Sequence, residues 1–290
     1  MKHCTVEIDG PVHYADFGGS GRPIVLVHGL GGSHLNWLAV APALTRHGRV
    51  LALDLLGHGR TPSQGRSARI GANRRLLGRF LETVAREPAV LVGNSMGGYL
   101  SLAEASAEPD RVTSLVLVSP AVPLPRGERV DPRVFALFFG TSLPFAGRAL
   151  LRLRARKGPE ASVRDLLAIC CVDSSRIARE VFDAHVELAR ERALRGSQSR
   201  RDFLEAQRSL LWRLFRRGRF RRLVAAIEAR ALIVQGERDR LVRVEAARAL
   251  AELRPDWQLA VLADVGHVPQ LEAPGRFLEH VEPWLAVTAR

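Results

Sequence analysis

One short segment, residues 91–98 with the sequence Leu-Val-Gly-Asn-Ser-Met-Gly-Gly, constrains the fold of this 290-residue chain more than any other. It joins an apolar run of strand character to a run of helical character. A turn this sharp holds its central residue in a strained backbone conformation, so the positions two before and two after it must be small. Gly93 and Gly97 meet that demand. The segment therefore predicts that Ser95 stands clear of a sheet at the N-terminus of a helix, where free N–H groups favour an anion.

Short apolar runs alternate with helical patterns along most of the chain. The predicted strands are residues 5–8, 12–14, 24–27, 50–53, 90–92, 115–118, 232–234 and 259–262. Helical spacing is clearest in residues 76–84, 96–108, 244–253 and 274–285. Strands interleaved with helices predict an α/β fold with a mostly parallel, eight-stranded sheet flanked by helices. The first two strands, joined through residues 9–11, are predicted to form an antiparallel hairpin at one edge.

The alternation stops near residue 120 and resumes near residue 231. The predicted domain organisation is therefore a body of residues 1–120 and 231–290 with a helical cap of residues 121–230 inserted into it. The cap also carries almost all of the net positive charge of the chain. Residues 121–230 contain 24 Lys/Arg against 12 Asp/Glu, and the rest of the chain contains 19 against 18.

The basic cap has two interpretations. The arginine-rich segment 212–222 resembles a basic amphipathic surface that makes weak contact with an anionic membrane, but the pattern favours a solvated helix face. Arginine outnumbers lysine 41 to 2, which a GC-rich genome explains without selection for binding. Because no nucleic-acid-binding motif accompanies the charge, no nucleic-acid partner is expected. The apolar run 135–145 is expected to line an acyl pocket, to touch lipid, or to form the cap's own core.

Targeting and cofactor signals are absent from the sequence pattern. The first residues lack an apolar core of signal-peptide length, and the longest uncharged cap stretch, residues 134–147, is shorter than the ~20 residues of a membrane span. A cytoplasmic location is therefore predicted. Cys4, Cys170 and Cys171 have neither disulfide-framework nor metal-ligand spacing, so no metal and no organic cofactor are expected.

A serine hydroxyl becomes a useful nucleophile only when an oriented base takes its proton, so a histidine and a carboxylate are expected at later strand ends. Asp239 follows the predicted strand 232–234, and His267 follows the predicted strand 259–262. Parallel strands deliver their carboxyl ends to one sheet edge. The sequence therefore predicts a Ser95, Asp239, His267 triad in the chain order Ser, Asp, His.

An oxyanion in such a site needs two N–H donors. Met96, directly after the serine, is expected to supply one. Leu30, in the glycine-rich turn after the strand 24–27, is expected to supply the other, with Gly29 keeping the turn small.

Five motifs occur in one order along the chain: His-Gly at 28–29, Asp-Leu-Leu-Gly-His-Gly-Arg-Thr at 54–61, the serine turn at 93–98, Gly-Glu-Arg-Asp at 236–239 and Gly-His-Val-Pro-Gln-Leu-Glu at 266–272. Together they resemble the α/β-hydrolase superfamily over nearly the whole chain, with the insertion where that family carries its cap. A serine at position 95, and not an aspartate, argues against the family's epoxide hydrolases and haloalkane dehalogenases. The resemblance implies a carboxylesterase or lipase-like enzyme. Such an enzyme hydrolyses small-molecule esters with an apolar acyl part through an acyl-enzyme intermediate.

Two alternatives remain open. The motif Gly-Asn-Ser-Met-Gly-Gly at residues 93–98 is also similar to that of carbon–carbon bond hydrolases of ring-cleavage products. In that case the cap arginines would bind a substrate carboxylate. Those enzymes usually have an aromatic residue after the catalytic histidine, where this chain has Val268. The other alternative is a ligand-binding protein on the hydrolase scaffold with negligible turnover.

Overall fold

The computed structural model describes residues 1–128 and 131–288. The strands are β1 Lys2–Glu7, β2 Pro11–Gly18, β3 Pro23–Val27, β4 Arg49–Leu53, β5 Ala89–Asn94, β6 Val112–Val118, β7 Arg230–Gly236 and β8 Gln258–Leu262. The α-helices are α1 Ala41–Leu44, α2 Ile70–Phe80, α3 Met96–Ala107, α4 Pro132–Ser142, α5 Pro144–Ala155, α6 Pro159–Cys170, α7 Arg179–Ala193, α8 Ser197–Leu214, α9 Arg217–Ala225, α10 Val244–Leu253, α11 Pro269–Glu272 and α12 Pro274–Thr288. Short 3₁₀ turns lie at His34–Trp37, Pro109–Arg111 and Ser174–Arg176, and a π-helical turn at Leu81–Ala85 follows α2.

All eight strands form one sheet in the order β1-β2-β4-β3-β5-β6-β7-β8. The pairs β1·β2 and β2·β4 are antiparallel, and the remaining pairs are parallel. The predicted mostly parallel eight-stranded sheet with an edge hairpin is confirmed. Each predicted strand falls on an observed one, and no end differs by more than four residues.

Alternate side chains of the central strands enter two separate cores. In β3, Val25 and Val27 face a core shared with α2, α3 and α10, whereas Ile24 and Leu26 face a core shared with α1 and α12. All four side chains are fully buried. Burial on both faces explains why the parallel strands read as continuous apolar runs, and each such side chain contributes about 1.5–3 kcal/mol of transfer free energy.

Between β6 and β7, the described residues form helices and turns with no strand. Part of this insertion, in α6 and α7, shares a small core with the body through Val268 and Leu271, which follow the last strand. The segment 135–145 was expected to be a pocket wall, a lipid contact or a core. Its side chains fall partly outside the described part of the chain, so that expectation stays open.

Among the helices of residues 1–128 and 131–288, none is long and apolar enough to cross a bilayer.

Candidate active site

The turn between β5 and α3 holds Ser95 in a strained conformation with φ 53° and ψ −114°. The backbone of Ser95 is fixed on both sides, because its N–H donates to the Val118 carbonyl at 2.9 Å and its carbonyl accepts from the Ala121 N–H at 2.9 Å. Both partners belong to the end of β6 and the residues after it. The neighbouring strand therefore stabilises a backbone geometry that an isolated turn would relax.

Glycine is required at the flanking positions because the backbone passes within contact distance there. A Cβ on Gly93 would lie 2.5 Å from the Gly97 carbonyl oxygen, and a Cβ on Gly97 would lie 2.0 Å from the Val27 carbonyl oxygen. A Cβ on Gly29 would meet the Ser95 Cβ at 3.1 Å, which is tight but less severe. Gly98, which the sequence reasoning did not single out, faces Pro120 at 2.9 Å.

His267 and Asp239 meet after β8 and β7. The His267 Nδ1 lies 2.7 Å from the Asp239 Oδ2, and both side chains are buried. Asp239 also accepts from the backbone N–H groups of Leu241 and Val242 at 2.8 and 2.9 Å and from the Gln235 amide at 3.1 Å. A carboxylate that accepts from these four donors can orient an imidazole and stabilise its charged form.

Ser95 and His267 face the same cavity. Within the described residues no hydrogen bond joins the Ser95 hydroxyl to His267, so the structure brings together the predicted acid and base but not the nucleophile and base at bonding distance. Such bonds are often long in ligand-free sites and tighten when substrate binds.

The two backbone N–H groups predicted to stabilise the oxyanion make no hydrogen bond among the described residues. Neither the Leu30 N–H nor the Met96 N–H has a hydrogen-bond partner among the residues that the structure describes. Leu30 lines the cavity beside Ser95, in a turn closed by a 3.1 Å bond from the Gly32 N–H to the Gly29 carbonyl. Two free backbone donors next to a strained serine are what a tetrahedral oxyanion requires.

Three polar side chains that sequence reasoning did not assign hold this site together. The Asn94 amide donates at 3.1 Å to the carbonyls of both Val118 and His267. These bonds link the turn that carries Ser95 to the loop that carries His267. Gln235 supports Asp239 as described above. The buried Glu272 carboxylate accepts from the Gly266 N–H at 2.7 Å and, with its other oxygen, from two N–H groups that follow α6. The signal for Glu272 was present in the motif 266–272, but its role depends on a distant segment.

The insertion also forms a direct hydrogen bond to the loop that carries His267. The His267 N–H donates to the Cys170 carbonyl at 2.6 Å. The Cys170 thiol is not a candidate nucleophile, because burial raises its pKa to about 12. The insertion thus sets the position of the base through backbone bonds and not through its thiols.

The histidines of the other motifs are structural. Burial lowers the pKa of His28 to about 4 and that of His58 to about 3. His28 accepts from the Leu55 N–H at 3.1 Å, and the His58 Nδ1 lies 2.9 Å from the Leu56 carbonyl. Both rings are therefore neutral at pH 7 and shape their turns.

The cavity above Ser95 has a volume of about 1590 Å³ and lies between the body and the insertion. Its walls are mainly apolar, and they include Leu124, Val134, Phe138, Val163, Leu167, Leu188, Phe203, Leu210, Leu211 and Val268. Arg192 of α7 borders the cavity beside the oxyanion turn and donates to the Gly31 carbonyl at 3.0 Å. Burial lowers the pKa of Arg192, yet a guanidinium remains charged at neutral pH. Among the described residues that line the cavity, none belongs to a cluster with metal-ligand geometry.

The α/β hydrolase fold family matches residues 22–274, which includes every residue of the site. The chain belongs to this family. The predicted family membership is confirmed, and the protein is a hydrolase.

Similar proteins include two relatives described as 2-hydroxy-6-oxononadienedioate/2-hydroxy-6-oxononatrienedioate hydrolases. The protein from Burkholderia vietnamiensis is 30% identical over 285 residues, which cover 95% of this chain and 92% of the relative. The protein from Dechloromonas aromatica is 27% identical over 277 residues, covering 93% and 89%. Among solved structures, a membrane phospholipase A matches this α/β hydrolase with a TM-score of 0.74 and 25% identity, over 99% of this chain and 86% of the other.

Proposed function

We propose that this α/β hydrolase cleaves an acyl substrate that carries a carboxylate close to the scissile carbonyl, as in carbon–carbon bond hydrolysis of a ring-cleavage product. The observation that carries the proposal is Arg192. Its guanidinium borders the cavity, and no acidic side chain of the described residues pairs with it.

An unpaired cation in a largely apolar cavity is costly unless an anion reaches it. A substrate carboxylate supplies that anion and makes a bidentate, charge-assisted contact. Because Arg192 is bonded to Gly31, one residue after the Leu30 donor, the bound carboxylate would lie a few bonds from the carbonyl that Ser95 attacks. The relatives support this substrate class, since the compounds in their descriptions are dicarboxylates by name.

The proposed reaction uses the site residues in fixed roles. Ser95 attacks the carbonyl carbon while His267 takes its proton, and Asp239 holds the imidazole. The N–H groups of Leu30 and Met96 stabilise the oxyanion. When the tetrahedral intermediate collapses, the electron pair of the broken bond stays on the departing fragment, which receives the proton from His267. Water then hydrolyses the acyl-enzyme and restores the serine hydroxyl.

The test compares Arg192→Met with a matched control, Arg195→Met. Arg195 also donates from the insertion to a carbonyl of the body, Gly59, at 3.0 Å, but it does not line the cavity. The substrates are a 2-hydroxy-6-oxo-dienoate, a neutral p-nitrophenyl ester and an ester that bears a carboxylate. Loss of a charged hydrogen bond should lower kcat/KM for the two carboxylates by about 10- to 100-fold in Arg192→Met alone.

Two results would overturn the proposal. One is equal loss for neutral and carboxylate substrates in Arg192→Met, which would make the arginine a packing residue. The other is turnover of simple esters with no turnover of any dienoate, which would leave ester hydrolysis as the reaction.

Ester hydrolysis at an anionic interface is the second candidate, and a separate observation favours it. Residues 206–227 contain seven arginines and no acidic residue. Within them Phe215 is 83% exposed and Trp212 is 48% exposed, and both border the cavity. Aromatic anchors among cations at the opening of an apolar cavity suit a membrane surface that supplies an amphipathic ester. The similarity to a membrane phospholipase A supports the same candidate.

Sedimentation with vesicles tests this second candidate. The wild type should bind phosphatidylglycerol vesicles more than phosphatidylcholine vesicles, and Phe215→Ser should weaken that binding. Leu194→Ser is the control, because Leu194 is 91% exposed but does not border the cavity. Equal binding of the two variants, or indifference to lipid charge, would assign the arginines to a solvated face.

A further inference from the structure

Outside the candidate active site, three histidines and one aspartate form a compact cluster. His3 lies in β1, His13 in β2 and His34 at the start of the 3₁₀ turn after the oxyanion loop, while Asp54 follows β4. One ring nitrogen from each histidine lies within 4.8 Å of the other two. The ring centroids are 4.8–5.3 Å apart.

Asp54 is fully buried and holds two of the three rings. Its carboxylate lies 2.8 Å from the His13 Nδ1 and 3.0 Å from the His34 Nδ1, and it also accepts from the His34 and Arg60 backbone N–H groups at 2.7 and 2.8 Å. Each Asp54 oxygen already accepts from a backbone N–H group, so the carboxylate acts as the acceptor toward the two rings and each Nδ1 carries a hydrogen.

In the neutral form of each ring, a hydrogen on Nδ1 leaves the lone pair on Nε2. The His13 Nε2 lies 3.1 Å from the His3 Nδ1, so one lone pair is bonded to a third imidazole. The His34 Nε2 is buried without a hydrogen-bond partner among the described residues, although His34 is only 1% exposed. A carboxylate on Nδ1 with a free Nε2 is the arrangement that orients metal-bound imidazoles in proteins.

We propose that His3, His13 and His34 bind a divalent first-row transition metal ion, with Asp54 orienting two of the ligands and water completing the coordination. Three neutral imidazoles suit Zn²⁺, Cu²⁺ or Ni²⁺. Tetrahedral Zn²⁺–N bonds of 2.0–2.1 Å place ligand nitrogens about 3.4 Å apart, so separations of up to 4.8 Å in the cluster must shorten by at most about 1.4 Å. His3 can supply that movement because it is exposed and lies on the edge strand.

Arg60 borders the cluster and opposes the metal. Its Nη1 lies 3.1 and 3.2 Å from the two ring nitrogens of His3, while its other nitrogens are paired with Glu191 at 2.7 and 2.9 Å. The ion replaces the Arg60 contact with His3, and Glu191 retains the guanidinium.

The experiment is calorimetric titration of the untagged, chelator-treated full chain with ZnCl₂, with CoCl₂ as a spectroscopic probe. The wild type should bind one ion, and the Co²⁺ complex should give the absorption of a low-coordinate nitrogen site. His3→Ala is the main variant, because an exposed residue can be removed without disturbing the core, and it should weaken binding at least about 10-fold. His280→Ala, which removes an exposed histidine of α12, should leave the affinity unchanged.

Two further variants separate this site from others. His267→Ala should retain the ion, since the active-site base is not a ligand. Arg60→Gln should bind more tightly than the wild type, since it removes the competing cation. Equal affinity in His3→Ala and the wild type, loss of binding in His267→Ala, or no saturable binding in the wild type would overturn the proposal.

Discussion

Two buried carboxylates of this protein, Asp239 and Asp54, each orient a histidine by a hydrogen bond at the same edge of the sheet. Each lies beyond the carboxyl end of a parallel strand, and each holds the Nδ1 of a histidine at 2.7–2.8 Å. Asp239 has one imidazole, which faces the cavity beside Ser95. Asp54 has two, those of His13 and His34, and neither residue borders the cavity. An Asp–His pair is thus a common way to orient an imidazole, and its role depends on what the free Nε2 faces.

The strongest test of the first pair is removal of its nucleophile. Ser95→Ala should lower kcat by on the order of 10⁴ to 10⁶, because triad members act as a unit, and His267→Ala should do the same. Circular dichroism and thermal unfolding should stay close to wild type, since the serine hydroxyl makes no hydrogen bond within the described residues. Residual cleavage of an activated substrate at more than a few per cent of the wild-type rate would exclude Ser95 as the nucleophile.

Matched Asp→Asn substitutions contrast the two carboxylates directly. Asp239→Asn should cost about 10⁴ in kcat with a small change in stability, because the amide presents the wrong partner to His267. Asp54→Asn should lower the free energy of unfolding by about 2–4 kcal/mol, because it breaks a buried network, and leave kcat of the folded enzyme within a few-fold. Urea unfolding and steady-state kinetics measure both. The reverse pattern would mean that the catalytic acid has been assigned to the wrong strand end.

Acid should destabilise the protein through the neutral histidines near Asp54. The ordinary pKa of 6.5 applies to the unfolded chain, whereas the folded pKa values of His28 and His58 are about 4 and about 3. Between these limits the unfolded state binds more protons, so stability is full above pH 6.5 and falls as pH drops. Each group costs about 1.4 kcal/mol per pH unit, or about 2 kcal/mol at pH 5.

The measurement is the free energy of unfolding in urea from pH 7 to pH 4.5. His58→Gln should flatten the curve by about one proton's slope, since glutamine does not titrate. An unchanged slope in that variant would show that His58 does not titrate on unfolding.

The smallest expected effect is long-range steering by the basic insertion. The ratio of kcat/KM for a carboxylate-bearing ester to that for a neutral ester should fall several-fold as the Debye length shortens from ~10 Å at 0.1 M salt to ~3 Å at 1 M. A salt-independent ratio would confine any role of charge to direct contacts such as that of Arg192.

Much of this architecture is readable from local patterns. The apolar runs predicted all eight strands, and the strained turn at Ser95 predicted that positions 93 and 97 must be small, which the close approach of the backbone at both positions explains. Such features are local, since strand burial and turn sterics leave a mark within ten residues of sequence. The catalytic roles of Ser95, Asp239 and His267 remain predictions that the variants above test.

The polar contacts between distant segments were not readable in the same way. Arg192 contacts Gly31 across 161 positions, and Asn94 contacts His267 across 173. His3, His13 and Asp54 meet only because the hairpin β1–β2 pairs with β4.

The sequence by itself determined the sheet, the strained serine turn and the family, because short-range sterics and apolar periodicity specify them. The tertiary structure decided which polar groups lie next to one another. These are the Arg192 cation beside the turn that carries Leu30, the Glu272 carboxylate between the His267 loop and the end of α6, and the three imidazoles around Asp54. These groupings arise when distant segments pack against each other. The free energy of a buried charge or lone pair depends on the partners that packing supplies, and no local pattern records them.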